Sequence, residues 1–194
     1  MFAMKSALTC CLLALVSAVT AQTCFDSTCG AVITPLYRTY SADNDDHFYT
    51  NDASELVFVP NTASTYTPQG VAAGVFATQQ GASVPLFRMF SVNPWDHFYT
   101  TDEQEVEEFG LIGYNLEGIA AYVYGDQICG SVPLFRLVHG VNVSGPGFGS
   151  DHFYTRLERQ VALATGYTDQ GIAAYVPIPG VVDGNALCET VPEN

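Results

Sequence analysis

The sequence Asp-His-Phe-Tyr-Thr occurs three times in this chain, and each copy follows a Pro-Leu-aromatic-Arg stretch. Carboxylate, imidazole, guanidinium and phenol groups at a fixed spacing can form a hydrogen-bonded network, bind a polar ligand or hold a metal ion. The candidate residues are these repeated positions together with the only tryptophan: Arg38, Asp46, His47, Tyr49, Arg88, Trp95, Asp96, His97, Tyr99, Arg136, Asp151, His152 and Tyr154.

The first interpretation of this set is a buried polar network that fixes the register of each repeat. An arginine on an apolar strand face needs a partner, and the aspartate of the same repeat is the expected one. Such a pair would be bidentate and would tie together two strands of one repeat.

The second interpretation is a set of equivalent sugar-binding pockets, since sugars are bound by planar polar side chains beside aromatic rings. Trp95 follows Asn93-Pro94, so we expect an exposed indole in a loop that stacks on a sugar. The third interpretation is a zinc ion held by His47, His97 and His152. Linear spacing does not show that the histidines converge, and we predict no metal and no cofactor.

Enzymatic chemistry is not expected. The sequence contains no Gly-x-Ser-x-Gly elbow, no His-Glu-x-x-His motif and no phosphate-binding loop. The acidic residues from Asp102 to Glu108 could supply a glycosidase pair, but they occur in one repeat only and are typical of a solvated helix face. We therefore predict no catalytic residue.

The charge balance is strongly acidic. The chain has 20 Asp and Glu against 6 Lys and Arg, and its only lysine is Lys5. After residue 21 there are five arginines and a net charge near −15. This excludes binding to a phosphate backbone as a main activity and disfavours anionic membranes. We expect no nucleic-acid partner and no membrane insertion.

Residues 1–21 predict a secretory signal peptide. Lys5 precedes an apolar run from Ala7 to Ala18 that is too short to span a bilayer, and Val19-Thr20-Ala21 provides small residues for cleavage before Gln22. We expect a secreted, extracellular protein whose residues 22–194 form a single domain.

The chain after residue 21 keeps an even number of cysteines: Cys24, Cys29, Cys129 and Cys188. In a secreted protein this number predicts two disulfides, and the three possible pairings stay open. The spacing is a poor match to a zinc site. We expect at least one bridge to tie the termini to the domain, with the C-terminal tail held by Cys188.

The third repeat carries an insertion. Its Pro133 and His152 are 19 residues apart, against 12 residues in the other two repeats. The inserted stretch from His139 to Ser150 is rich in glycine, which is typical of a surface loop. It contains the sequon Asn142-Val143-Ser144, so we expect Asn142 to be glycosylated in a eukaryotic host.

Three repeats organise the whole domain. Pro35, Pro85 and Pro133 begin equivalent stretches 50 and 48 residues apart. Each repeat closes with Tyr-x-x-[Gln/Glu]-Gly-[Val/Ile]-Ala-Ala, and the three units span about 31–82, 83–130 and 131–178.

Each repeat predicts strands and one short helix. Ser83–Phe90, His97–Thr100 and the segment from Gly118 have strand composition. Thr100-x-x-Glu103 and Thr155-x-x-Glu158 resemble capping boxes. The apolar residues Leu157, Val161 and Ala164 follow at helical spacing, before Gly166.

A unit of about 50 residues cannot bury its own apolar face, so its neighbours must complete it. We expect a mainly β fold with one short helix per repeat. The three units are predicted to form a closed pseudo-three-fold arrangement, trefoil-like or small and propeller-like.

The combination of Pro-Leu-aromatic-Arg, Asp-His-Phe-Tyr-Thr and Gly-Tyr-x-x-Glu-Gly-Ile-Ala-Ala-Tyr resembles a tandem-repeat family of unknown function, found in secreted fungal and bacterial proteins. The second repeat matches best, at Gly113-Tyr114 and from Glu117 to Tyr122. The first departs at Thr65, Gln69 and Gly74, and the third at Gln170. The resemblance implies an accessory, non-catalytic extracellular module.

The resulting hypothesis is a secreted, lectin-like binding protein whose partner is an extracellular glycan or cell-wall polysaccharide. The alternative is a secreted structural or protein-binding protein, such as an effector or an inhibitor, without affinity for sugars. An exposed Trp95 beside a polar pocket would favour the first, and a fully buried set without a pocket would favour the second.

Overall fold

The computed structural model describes residues 23–24, 27–56, 65–140, 151–178 and 186–187. The predicted signal peptide, Asn142 and Cys188 lie outside these residues. The strands are β1 (Thr23–Cys24), β2 (Thr34–Ser41), β3 (Asp46–Thr50), β4 (Thr67–Val75), β5 (Val84–Val92), β6 (Trp95–Thr100), β7 (Asn115–Val123), β8 (Val132–His139), β9 (Asp151–Thr155), β10 (Thr168–Val176) and β11 (Ala186–Leu187). The helices are a 3-10 helix (Ala53–Leu56), α1 (Glu103–Leu111) and α2 (Arg159–Ala164).

Three similar antiparallel sheets make up most of this structure, with strand orders β3-β2-β4, β6-β5-β7 and β9-β8-β10. We call them sheet units 1, 2 and 3. In each unit the Pro-Leu-aromatic-Arg stretch lies on the central strand. Asp-His-Phe-Tyr-Thr forms one edge strand, and the closing segment of the repeat forms the other. The prediction of a mainly β fold with a short helix near each sheet is confirmed.

The Asp-His-Phe-Tyr-Thr strands are buried at all five positions, although alternate side chains of a strand point to opposite faces. The reason is that each such strand lies between two other units. In β3, Asp46 and Phe48 contact His97 of unit 2, whereas His47 and Tyr49 contact unit 3. Both faces of the strand are therefore covered.

A single apolar core joins the three units. Its buried residues come from all three sheets: Leu36, Tyr49, Ala73, Val75, Leu86, Tyr99, Ala120, Ala121, Val123, Leu134, Tyr154, Ala174 and Val176. Each unit supplies a leucine from its central strand, a tyrosine from its edge strand and small residues from the other edge. Close packing of these different sizes is what holds the three sheets together.

The short helices match the predicted capping boxes only in part. Thr155 Oγ1 accepts the Glu158 backbone N–H at 2.9 Å, but the Glu158 side chain bonds the Thr155 hydroxyl and not its backbone. Helix α1 begins after Asp102, whose side chain accepts a hydrogen bond from the Gln104 backbone N–H at 2.8 Å. Helix α2 has no side-chain cap, and its only buried residue is Ala162. Leu157 and Val161 are 84% and 66% exposed. The six-residue helix directs Ala162 toward the sheet and leaves Val161 on its outer side.

One disulfide joins Cys29 to Cys129, across 100 residues of sequence. It links the segment before β2 to the connection between units 2 and 3. Cys24 lies in β1, which pairs with β11 near the C-terminus, so the two ends of the described chain are brought together by backbone pairing. None of the described helices is long and apolar enough to cross a membrane.

Candidate functional site

The tyrosines of the three Asp-His-Phe-Tyr-Thr copies bond to one another in a repeating order. The hydroxyl of Tyr99 accepts a hydrogen bond from the Tyr49 N–H at 2.7 Å and donates to the Tyr49 carbonyl at 2.8 Å. Tyr154 bonds to the backbone of Tyr99 in the same way, and Tyr49 bonds to the backbone of Tyr154. The rings meet edge to face, with centroids 5.4–5.5 Å apart. Each unit therefore satisfies the backbone of another.

The aspartates and histidines bond between units in a similar order. One oxygen of Asp46 accepts the backbone N–H of His97 at 2.8 Å, and the other is 2.7 Å from His97 Nδ1 and bonds the hydroxyl of Tyr66. The same contacts join Asp96 to His152 and Asp151 to His47. In each case the carboxylate belongs to one unit and the imidazole to the next, and unit 3 contacts unit 1.

The arginines complete each contact between units, which we call junctions 1–2, 2–3 and 3–1. At junction 1–2, Arg88 of unit 2 forms a bidentate pair with Glu55 of unit 1 and lies over the ring of Phe48. Arg136 pairs in the same manner with Glu105, and Arg38 with Glu158. Bidentate pairing and ring stacking are typical of arginine at such positions.

The prediction that each arginine pairs with the aspartate of its own repeat is wrong. Arg38 lies opposite Tyr49 in the β2–β3 pair, whereas Asp46 lies opposite Ser41. The two positions are therefore three residues apart along the strands, roughly 10 Å. The arginine consequently meets a glutamate from a neighbouring unit, and the polar network holds units together instead of two strands of one repeat.

Trp95 also differs from its predicted environment. It begins strand β6 and is half-buried, and its indole N–H donates to the Tyr66 hydroxyl at 3.2 Å. Its ring packs edge to face against Phe90, with centroids 5.2 Å apart. The indole is therefore engaged by the protein and is not an exposed platform for a ligand.

Among the described residues, the group of side chains close enough to share a metal ion consists of the three aspartates and includes no histidine. One carboxylate oxygen from each of Asp46, Asp96 and Asp151 lies within 4.8 Å of the other two. Such a group could hold a cation, but each carboxylate already accepts hydrogen bonds from a histidine and a tyrosine. The protein therefore supplies donors to these oxygens itself.

The charges of these carboxylates affect one another. Burial opposes ionisation of Asp96, but the charge and hydrogen bonds of His152 and the hydroxyl of Tyr114 outweigh it and lower the pKa of Asp96. Burial raises the pKa of Asp151, and the nearby charge of Asp96 adds to this rise. Two carboxylates at close range cannot ionise equally easily, so Asp96 ionises first as the pH rises.

The glutamates at the junctions have lowered pKa values. For Glu55 and Glu105, burial opposes ionisation, but the hydrogen bonds from arginine and threonine outweigh it. For Glu158, the hydrogen bond from Arg38 is the largest cause. All three side chains are therefore charged at neutral pH.

We expect the protein to lose stability as the pH falls below about 4.5, the ordinary pKa of these glutamates. A carboxyl group whose pKa is lowered by folding stabilises the fold above its ordinary pKa, and this stabilisation is lost as the pH falls through the folded pKa. Glu55, Glu105, Glu158 and Asp96 share this sign. Asp151 has the opposite sign, because a raised pKa stabilises the fold at low pH and this contribution is lost as the pH rises. We therefore expect the four groups with lowered pKa to determine the net effect.

The measurement is the urea midpoint at about pH 6 and about pH 3, which should be lower at pH 3. An Arg136→Met variant, which removes the partner of Glu105, is the control and should show a smaller difference between the two pH values. An equal or higher midpoint at pH 3 in the unchanged protein would contradict this expectation.

Junction 3–1 contains a cavity of about 220 Å³. Arg38, His47 and Gln69 of unit 1 line one side, and Phe153, Glu158 and Tyr167 of unit 3 line the other. Val161 and Ala162 of helix α2 and the following Thr165 also line the cavity. The cavity therefore combines a guanidinium, an imidazole, a carboxylate and an amide with two aromatic rings.

One difference between units 2 and 3 accounts for the space at this junction. In unit 2, the ring of Phe109 in helix α1 stacks on the ring of Phe98, with centroids 3.6 Å apart. Its centroid lies 6.0 Å from that of the His152 ring, so Phe109 packs against junction 2–3. The carbonyl of Phe109 accepts the backbone N–H of Tyr114, and in unit 3 the carbonyl of Ala162 accepts that of Tyr167. Ala162 therefore occupies the position of Phe109, and the missing ring leaves space.

Several residues of these junctions were not identified from the sequence. They are the three glutamates and the closing tyrosines of each repeat: Glu55, Glu105, Glu158, Tyr66, Tyr114 and Tyr167. Each tyrosine precedes the glycine of its closing segment by four residues, and the first two glutamates follow the last threonine of the motif by five residues in units 1 and 2. The third lies only three residues after Thr155, which breaks the pattern.

Comparison with known proteins identifies a family for this chain but does not assign it an activity. The model of a family described as a domain of unknown function (DUF5648) matches residues 35–177. No curated protein and no solved structure matches the chain. The matched range contains the three sheet units and all three junctions, so the family match covers the cavity as well as the polar network.

Proposed function

The chain belongs to the DUF5648 family, and from the geometry of its junctions we propose that it is a secreted, non-catalytic protein that binds carbohydrate. The ligand class is an extracellular glycan or cell-wall polysaccharide. We further propose that the three sheet units form a closed pseudo-three-fold arrangement. The order of contacts supports this, because unit 1 contacts unit 2, unit 2 contacts unit 3, and unit 3 contacts unit 1.

The observation that carries the binding proposal is the cavity at junction 3–1. Its polar lining offers hydrogen-bond donors and acceptors in fixed directions, and the rings of Phe153 and Tyr167 lie at the same site. This combination suits a pyranose, which has polar edges and an apolar face. The volume of about 220 Å³ lies below the ~300–1,000 Å³ of clefts that hold drug-sized ligands. We therefore propose that one sugar residue enters the cavity.

The chemistry of the cavity supports binding without catalysis. A general acid in a glycosidase needs a carboxyl group whose pKa is raised toward neutrality. Glu158 is the carboxylate that lines the cavity, and its hydrogen bond to Arg38 lowers its pKa instead. Glu158 is therefore suited to hold Arg38 in place and to accept a hydrogen bond from a ligand.

Secretion is proposed from the N-terminal sequence and from the disulfide. Residues 1–21 have the pattern of a signal peptide. The bridge between Cys29 and Cys129 is of a kind that forms and persists in oxidising compartments.

A specific observation favours a second candidate function, a structural or protein-binding role without affinity for sugars. At junctions 1–2 and 2–3 the arginines and histidines are bonded within the protein. Equivalent aliphatic residues on the outer edge strands, Val71, Ile119 and Ile172, are 60%, 49% and 47% exposed. Exposed apolar side chains that recur on each unit would suit a protein partner.

The test replaces Ala162 by phenylalanine in the purified protein. The new ring should fill the cavity as Phe109 fills its own junction, so we expect binding on a glycan array and to insoluble polysaccharides to fall at least tenfold, with the circular dichroism spectrum unchanged. Leu157→Phe adds the same ring at an exposed position and is the matched control. No saturable binding of the unchanged protein to any glycan would overturn the proposal and favour the second candidate.

A further inference from the structure

A glutamate of unit 2 shows where a carboxylate fits at a junction. Glu117 accepts a hydrogen bond from Arg88 Nε at 2.8 Å, and the same oxygen lies 3.9 Å from His97 Nε2. The other two guanidinium nitrogens of Arg88 are already bonded to Glu55. Arg88 therefore bonds two carboxylates at junction 1–2. The second, that of Glu117, lies between Arg88 Nε and the ring of His97, and we call this place the corner of the junction.

The equivalent corners in units 1 and 3 have no carboxylate. In the strand pairs, the residues directly opposite Arg38, Arg88 and Arg136 are glycines: Gly70, Gly118 and Gly171. The residues that precede these glycines are Gln69, Glu117 and Gln170. Units 1 and 3 therefore have a glutamine at the position where unit 2 has Glu117.

The arginines at those two corners retain an unused donor. Arg38 Nε and Arg136 Nε are buried and have no hydrogen-bond partner among the described residues. Over the same residues, His152 Nε2 and Gln170 Oε1 at junction 2–3 are also buried without a partner. A buried donor without a partner costs about 1–3 kcal/mol, so a group that accepts its hydrogen bond is favoured at this place.

The corners at junctions 3–1 and 2–3 differ in whether they border a cavity that a ligand could enter. At junction 3–1 the corner opens into the cavity, since Arg38, His47 and Gln69 all line it and Gln69 is exposed. At junction 2–3 the ring of Phe109 packs beside His152, and Gln170 is half-buried. Of the two corners, the one at junction 3–1 therefore borders the cavity. Its Arg38 Nε atom is buried, so a ligand contacts this atom once a neighbouring side chain moves aside.

We propose that the cavity at junction 3–1 binds a sugar that bears a carboxylate, a uronic acid residue, with this group in the position that Glu117 occupies at junction 1–2. The inference rests on the proposed function and names its ligand class. Arg38 Nε donates to the ligand carboxylate, the Gln69 amide donates beside it, and the Nε2 edge of His47 faces it. The His47 Nδ1 is held by Asp151 at 2.7 Å.

The protein itself provides the precedent for this charge arrangement. The negative groups around the corner are Glu158, which is paired with Arg38, and Asp151, which lies behind His47. At junction 1–2 the same surroundings, Glu55 and Asp46, do not prevent Glu117 from occupying its corner. A ligand carboxylate therefore replaces a contact that the fold already accommodates.

The net charge of −14 limits the ligand to one acidic residue at a time. The negative field of the whole molecule repels a polyanion, whereas charges beyond about 8 Å are screened at physiological salt. A single uronic acid at a chain end or within a mostly neutral glycan therefore experiences mainly the local guanidinium.

The experiment measures binding of glucuronic and galacturonic acid by calorimetry, with glucose, galactose and acetate as comparisons. We expect at least one uronic acid to bind tenfold or more tightly than its neutral sugar and more tightly than acetate. Gln69→Glu supplies the carboxylate from the protein and should weaken uronic acid binding at least tenfold. Gln170→Glu makes the same change at junction 2–3, away from the cavity, and should leave binding unchanged.

The other outcomes separate the inference from the proposed function. Equal binding of a uronic acid and its neutral sugar, unaffected by Gln69→Glu, would overturn the inference and leave the carbohydrate proposal standing. Acetate binding as tightly as the uronic acids would overturn the assignment of a sugar. Absence of binding to every sugar, on the array as well, would overturn both.

Discussion

Replacing Tyr99 by phenylalanine is expected to lower the free energy of unfolding by about 2–6 kcal/mol. The aromatic ring is retained, so the apolar packing at this 1% exposed position does not change. What is lost is the hydroxyl that accepts the Tyr49 N–H and donates to the Tyr49 carbonyl. Each of these buried backbone groups is left without a partner, at about 1–3 kcal/mol each.

Chemical denaturation followed by tryptophan fluorescence gives this free energy. Tyr122→Phe is the matched control, because Tyr122 is half-buried and its hydroxyl makes no hydrogen bond within the described part of the chain. That variant should change the unfolding free energy by less than about 0.5 kcal/mol. A loss below about 1 kcal/mol for Tyr99→Phe would show that water or backbone movement satisfies the two groups.

Asp96→Ala is expected to have an effect of similar size, a loss of about 3–5 kcal/mol of unfolding free energy. Asp96 is fully buried and accepts hydrogen bonds from the His152 backbone at 2.8 Å, from the Tyr114 hydroxyl at 2.6 Å, and lies 2.6 Å from His152 Nδ1. Removing it leaves one imidazole, one phenol and one backbone N–H without a partner in the interior.

Its control is Asp126→Ala, which removes the carboxylate of an exposed residue and should stay within about 0.5 kcal/mol of the unchanged protein. Thermal unfolding monitored by circular dichroism measures both variants. If Asp96→Ala unfolds at the same temperature as the control, mutual repulsion among the three aspartates cancels the value of their hydrogen bonds, and the polar network does not hold the units together.

The sequence was sufficient to predict the strands, but it did not predict which side chains bond to one another. Alternation and composition placed the strands within a few residues: Ser83–Phe90 was expected and Val84–Val92 is observed. Identity between repeats showed that Arg38, Arg88 and Arg136 are equivalent. Equivalence does not reveal whether a side chain bonds within its unit or across to the next, because that depends on how the sheets meet.

The cavity illustrates the same limit. Ala162 and Phe109 lie at the same distance before a repeated Gly-Tyr pair, so the difference between them is visible in the sequence. The sequence does not show that this difference creates a cavity, because an alanine leaves a cavity only if the surrounding side chains do not move in to fill it. The helix of unit 3 is short and keeps Val161 on its open side, and so the space persists.

The order of contacts between units also determines how the chain can acquire its structure during synthesis. His47 meets Asp151, 104 residues later, and Tyr49 meets Tyr154, 105 residues later. Unit 1 leaves the ribosome first, yet its buried histidine and arginine receive their partners only when unit 3 has been made. Such long-range contacts raise the contact order and place folding in the range of roughly milliseconds to seconds. Units 1 and 2 can bond to each other through Asp46 and His97 before unit 3 is made, but we expect the contacts at junctions 2–3 and 3–1 to form only after unit 3 has left the ribosome.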